Sequence, residues 1–222
     1  MGRLTVVLGP NGAGKSVLLS LLAGLRKPTC GELLFKGGGM GRVSAKLLAA
    51  QIAWVPHQTS GGDFFPVEDA VGMGRIALGE SRAATRAAAG RALAFFELTA
   101  LAAAPLGALS GGQRRLVLFA RAMAQLEGAK GGVLLLDEPD AHLDPAQAAS
   151  LFGKLRLLVD QGLTVVAVLH DLNLAAEFAD DAWLMQGGRL LATGAAGGVL
   201  TEANLSRVYG VKIGAVQGWQ AG

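Results

Sequence analysis

Eight residues near the start, Gly9, Pro10, Asn11, Gly12, Ala13, Gly14, Lys15 and Ser16, fit the pattern G-x-x-x-x-G-K-S/T. They follow the apolar run "LTVVL" and lead into "KSVLLSLLAGL", so a strand, a tight glycine turn and a helix are expected in that order. Glycines in such a turn let successive backbone N–H groups face inward, and the positive end of the helix dipole adds to their pull on an anion. Lys15 would then reach the β- and γ-phosphate oxygens of a nucleoside triphosphate, with the Ser16 hydroxyl offered to Mg²⁺. A chance glycine turn is the bland alternative, and the strand–turn–helix setting argues against it.

Two acids supply the second chemical feature. In "VLLLDEP" an aliphatic strand ends at Asp137, placed to hold a metal through water. Glu138 follows at once and suits a general base acting on an attacking water. Paired acids at a strand end can also be an ordinary solvated edge. The third feature is "LSGGQ", Leu109 to Gln113, ahead of "RRLVLFARAMAQL". Ser110 is a good helix N-cap, and Gly111 and Gly112 permit close approach of an anion. Alone, this is no more than a capped helix start.

These features need a frame to hold them. Strand character recurs in "GELLFKG", "QIAWVPHQ", "GGVLLLDEP", "LTVVAVLH" and "AWLMQGGRLLATG", with a helix "DLNLAAEFAD" between the last two. Strands alternating with helices predict an α/β fold with a mainly parallel sheet covered on both faces. From Val67 to about Gln125 the pattern turns to alanine-rich helix, "ESRAATRAAAGRALAFFEL". This predicts an inserted helical subdomain over 61–125 between two parts of an α/β core, 1–60 and 126–222.

Composition sets outer bounds. The chain has 222 residues, 51% of them hydrophobic, a net charge of +3 and a mean hydropathy of +0.42. No apolar run approaches the roughly 18 residues of a membrane span, and no secretory signal precedes the glycine loop. A cytosolic chain, soluble or peripheral to a membrane, is expected. Its basic residues are scattered rather than clustered, so nucleic-acid binding is not expected. The single cysteine, Cys30, excludes an internal disulfide.

Taken together, "GPNGAGKS", "LSGGQ" and "LLLDEP" in this order resemble the motifs of ATP-binding cassette (ABC) ATPases, and the likeness runs to about Gly210. The resemblance implies a P-loop NTPase core with an inserted helical subdomain, and ATP and Mg²⁺ as cofactors. It also implies a head-to-tail homodimer in which Ser110, Gly111, Gly112 and Gln113 touch ATP held by the partner's phosphate loop. By the same resemblance Gln58, in "WVPHQ", senses Mg²⁺ and links to a membrane subunit. Asp144 ends a D-loop "DAHLD" that also faces the partner, and His170 is the switch histidine at the γ-phosphate. On their own terms Gln58 could be a surface glutamine and His170 a satisfied strand-end histidine. His57 and His142 read as solvent-exposed loop residues.

Three departures stand out. Val17 replaces a usual threonine, removing one hydroxyl from the α-phosphate, worth ~1 kcal/mol. Asp140 stands where a small residue is common and adds charge near the dimer seam. "MGRLTVV" holds neither the two antiparallel strands nor the adenine-stacking aromatic of the family, so a missing or shortened front edge is expected; Phe35, the nearest aromatic, lies in a later strand. The stretches "FFPVEDAVGMGR", "HDLNLAAEFADDAWLMQGGRLLATG" and "VLTEANLSRVYGV" look like ATPases of importers for vitamin B12, iron-siderophores and haem, with B12 ranked first. Such a subunit works under two transmembrane permeases on the cytoplasmic face of the membrane, indirectly with a substrate-binding protein. A nucleotide-binding module without efficient turnover and a soluble, non-transport cassette ATPase are the alternatives.

Overall fold

A computed structural model describes residues 2–57, 61–141 and 143–214. The chain starts with β1 (Leu4–Leu8) and α1 (Lys15–Leu22), followed by a short antiparallel pair, β2 (Leu34–Phe35) and β3 (Gly38–Gly39). Next come α2 (Ala45–Gln51) and β4 (Ile52–Val55), then three helices, α3 (Val67–Gly72), α4 (Arg82–Phe95) and α5 (Gly111–Leu126). The chain returns to the sheet with β5 (Val133–Asp137), α6 (Pro145–Asp160), β6 (Thr164–Val168) and α7 (Leu172–Phe178). It closes with β7 (Asp181–Gln186), β8 (Arg189–Ala195), α8 (Ala196–Val199) and α9 (Glu202–Tyr209).

Six strands form one sheet in the order β4-β5-β6-β1-β7-β8, parallel except for β8. β7 and β8 are joined by Gly187–Gly188, both at positive φ, the conformation a two-residue hairpin turn requires. The central strands are apolar throughout because both faces are covered, and the alternation of side chains sorts them between two cores. Val6, Leu8, Leu134, Leu136, Val165 and Ala167 point into the larger core, with residues of α4, α5, α6, α7 and α9. Val7, Leu135, Val166 and Val168 point the other way, against Leu19 of α1 and Met40.

The helices between β4 and β5 share the larger core instead of forming one of their own. On α4 the buried positions are Ala88, Ala89, Ala92 and Leu93, an i, i+1, i+4, i+5 stripe narrow enough for close packing. Phe96 and Phe119, with ring centroids 6.2 Å apart, join the end of α4 to α5. Arg75 finishes α5 by donating to the carbonyls of Ala124 (2.8 Å) and Glu127 (3.1 Å) at the helix end. Among the described residues no helix is long and apolar enough to cross a membrane.

What the sheet order does for chemistry is set four strand ends side by side. The carboxyl ends of β4, β5, β6 and β1 carry, in that order, His57, Asp137 with Glu138, His170, and the glycine loop. A crevice at these ends is where open α/β sheets bind ligands.

Candidate active site

The glycine loop runs from the end of β1 to the first turn of α1. Gly9, Gly12 and Gly14 sit at φ of 152°, 78° and 96°, which only glycine adopts without strain. Lys15 is buried and folds back over the loop, its Nζ donating to the carbonyls of Gly9 (2.7 Å) and Pro10 (3.1 Å). Burial lowers the Lys15 pKa, and the Glu138 and Asp137 carboxylates act in the opposite direction. Ser16 stays exposed and lines an open cavity of about 460 Å³ together with Asp137, Trp54 and His57. Asp137 is 4% exposed, and its Oδ1 is buried without a hydrogen-bond partner among the described residues. A buried carboxylate oxygen left unpaired beside a serine hydroxyl is a donor set for a hard cation.

Glu138 lies one residue past the strand, at φ 51°, a left-handed conformation unusual for a residue with a side chain. Its backbone N–H still reaches the Val168 carbonyl at 3.2 Å, so the sheet ladder holds it while the turn re-aims the side chain. The carboxylate is bracketed: Oε1 lies 2.8 Å from His170 Nε2, and Oε2 lies 3.1 Å from His57 Nδ1. Partial burial works to raise its pKa. The hydrogen bond from His170 and the nearby His170, His57 and Lys15 outweigh that, and the net direction is below the ordinary glutamate value. A carboxylate kept ionised within reach of a phosphate site can take a proton from water.

The signature segment opens α5 at a different place. Ser110 caps the helix with its hydroxyl accepting from the Gln113 N–H (3.2 Å), while Gln113 Oε1 accepts from the Ser110 N–H (3.0 Å). This capping box is complete within the segment. Ser110 and Gly111 are exposed, Gly112 and Gln113 half-buried, and Gly111 lines a second cavity with Phe65, Met73 and Arg114. Asp144 caps α6 the same way, accepting from the Gln147 N–H at 2.8 Å.

The family model described as ABC transporter matches residues 1–141. The chain belongs to the ABC transporter family. It is 39% identical over 213 residues to the hemin import ATP-binding protein HmuV of Pseudomonas entomophila, covering 96% of this chain and 84% of that one. Among solved structures, a metal-chelate type ABC transporter in an inward-facing conformation is similar at TM-score 0.79 and 32% identity, over 93% of this chain and 78% of that one. A dimeric ATP-binding cassette in a post-hydrolysis state with ADP and phosphate is similar at TM-score 0.78 and 27% identity, over 88% and 86%. The chain is thus an ABC ATPase that binds ATP, on the α/β fold with an inserted helical segment that its motifs imply.

In this ATPase the glycine loop, Asp137, Glu138 and His170 come together at one edge of the sheet. Gln58 and His142 lie outside the described residues. His57 corrects the expectation of a solvent-exposed loop residue: it is half-buried, and it faces Glu138 because β4 is the strand next to β5. Sequence reasoning also missed Arg115. The residue is 4% exposed, and its guanidinium donates to four carbonyls: Pro56 (2.7 Å), His57 (3.2 Å), Asp137 (2.7 Å) and Glu138 (2.8 Å). Burial lowers its pKa, and Asp137, Asp140 and Glu138 counter that. The available signal was its place in an i, i+4, i+7, i+11 stripe with Phe119, Ala122 and Leu126, where an arginine has no solvent to face. Asp140 is a half-buried carboxyl whose pKa burial raises, and its Oδ1 has no partner among the described residues. Phe35 packs against the smaller core beside Met40.

Proposed function

We propose that this chain is the ATP-hydrolysing subunit of an importer for a metal-chelate cargo, with haem ahead of iron-siderophores and vitamin B12. The haem assignment rests on the 39% identity to a hemin import ATP-binding protein and replaces the lean toward B12 that the C-terminal stretches suggest. The protein works as a head-to-tail homodimer on the cytoplasmic face of the membrane, peripheral to two permease subunits and indirectly served by a substrate-binding protein. The segment 61–125 forms the subdomain that meets the permeases. Phe64 and Ile76, 97% and 73% exposed, are apolar groups on its surface suited to that contact.

The Glu138 carboxylate, held by His170, is the observation that carries the hydrolytic reading. The backbone of Gly9 to Gly14 cradles the phosphates, and Lys15 leaves the Gly9 and Pro10 carbonyls to take phosphate oxygens instead. Ser16, Asp137 and Gln58 would hold Mg²⁺, which would supply positive charge beside the phosphate oxygens. Glu138 orients and deprotonates the attacking water, and His170 holds Glu138 and contacts the γ-phosphate. Ser110, Gly111, Gly112, Gln113 and Asp144 close on the nucleotide of the partner.

Glu138→Gln keeps the shape of the side chain and removes the base. The expected outcome is a dimer that traps ATP and turns over at least about 100-fold more slowly, since general-base catalysis contributes 10²–10⁴-fold. Size-exclusion chromatography with ATP and a phosphate-release assay read the two effects, and full-speed hydrolysis would falsify the assignment. Stimulation of the permease-bound enzyme by binding protein loaded with haem, compared with cobalamin, tests the cargo.

A further inference from the structure

Glu138 has two oxygens, and the hydrolytic reading uses a partner for only one of them. His170 donates to Oε1 from the end of β6. On the opposite side, at the end of β4, His57 presents Nδ1 at 3.1 Å from Oε2. Strand order accounts for the symmetry: β5 lies between β4 and β6, so residues two steps past each neighbour flank the residue one step past β5. The His57 Nδ1 is buried, and its alignment falls short of a hydrogen bond, leaving it without such a partner among the described residues. A small rotation of the ring or the carboxylate converts the contact into an N–H···O bond to an anion, the stronger kind of hydrogen bond.

The backbone that carries His57 is not free to drift. Arg115 holds the Pro56 and His57 carbonyls with one guanidinium nitrogen and the Asp137 and Glu138 carbonyls with the other. A single planar group therefore fixes the loop after β4 against the end of β5, and its ring neighbour Phe119 lies 5.5 Å beneath it. Rigid supports of this sort keep a catalytic carboxylate within the narrow angular range its chemistry needs.

We propose that His57 is a second positioning residue for the general base, holding Glu138 Oε2 as His170 holds Oε1, with Arg115 as the clamp that keeps both backbones in register. The role belongs to the imidazole with its proton on Nδ1 and rests on Glu138 being the base. His57 acts through Glu138 and not on the nucleotide.

The test uses the full-length chain with His57→Ala, His57→Asn, Glu138→Gln and the double variant His57→Ala/Glu138→Gln. The asparagine amide nitrogen takes nearly the place of Nδ1. His57→Ala is expected to lower kcat about 10-fold with KM for ATP unchanged, the signature of a lost transition-state contact. His57→Asn should recover most of that loss. Affinity for a non-hydrolysable fluorescent ATP analogue, with and without Mg²⁺, should not change in His57→Ala. In the Glu138→Gln background, His57→Ala should have no further effect on the residual rate, because the group it positions is gone.

Unchanged kcat in His57→Ala, or an equal further loss in the double variant, overturns the proposal. So does weaker Mg²⁺-dependent analogue binding, which would make His57 a ligand of the nucleotide site. Failure of the underlying reading looks different: Glu138→Gln would then hydrolyse ATP at the parent rate.

Discussion

Two helices of this ATPase begin on glycine-bearing turns suited to phosphate, and their surroundings differ sharply. At the start of α1, three glycines occupy left-handed φ values, Lys15 is buried over the loop, and Asp137 and Glu138 lie alongside. A Cβ on Gly9 would fall 2.1 Å from the Met185 carbonyl oxygen, so the fold itself demands glycine there. At the start of α5, Gly111 has no positive φ, and a Cβ there would meet nothing within 4 Å. Its capping box is satisfied without any ligand. Among the described residues nothing requires glycine at this position. In the proposed head-to-tail dimer, a requirement for glycine there would come from the partner's nucleotide approaching this backbone.

Paired substitutions turn that contrast into numbers. Gly9→Ala puts a methyl group into a backbone carbonyl at a φ that alanine resists. A loss on the order of 2–5 kcal/mol is expected from strain and overpacking together, read as a large drop in the denaturant midpoint. Gly111→Ala should leave stability within about 1 kcal/mol of the parent, on the favourable side, because alanine suits a helix better than glycine. Its ATPase rate should nonetheless fall at least about 10-fold if the methyl group obstructs the partner's phosphate. A Gly111→Ala protein with normal turnover would remove the argument for a partner at α5. A Gly9→Ala protein of parental stability would remove the contrast altogether.

The difference also marks what could be read from the chain. The glycine loop, the acid pair after β5 and the Ser110 cap are local: each announces itself within a dozen residues through turn, strand or cap chemistry. The two-sided sheet was legible for the same reason, since "LTVVL", "VLLLD" and "TVVAV" carry no polar face to expose. His57 was not legible, because its task depends on β4 lying beside β5 in the sheet, with the two groups 81 positions apart in the chain. Arg115 was missed in the same way. Its four acceptors lie 22 to 59 residues distant, and only the folded sheet brings them to one guanidinium. Spacing reveals a motif, but it does not show which neighbouring strand end will support it.

The smallest expected effect separates two roles that coincide at Ser110. As a cap, its hydroxyl satisfies the Gln113 N–H, and Ser110→Ala should cost about 1 kcal/mol. In a chain of this size that corresponds to a fall in Tm of roughly 2–4 °C. A partner-facing hydroxyl would cost turnover as well, and alanine alone cannot tell the two losses apart. Ser110→Asp does. Aspartate caps a helix as well as serine, so stability should return to the parental value. A carboxylate set against a partner's triphosphate repels it, so turnover should remain low and ATP-driven dimerisation weak. If Ser110→Asp regains both stability and turnover, the serine is only a cap, and α5 differs from α1 because it binds nothing at all.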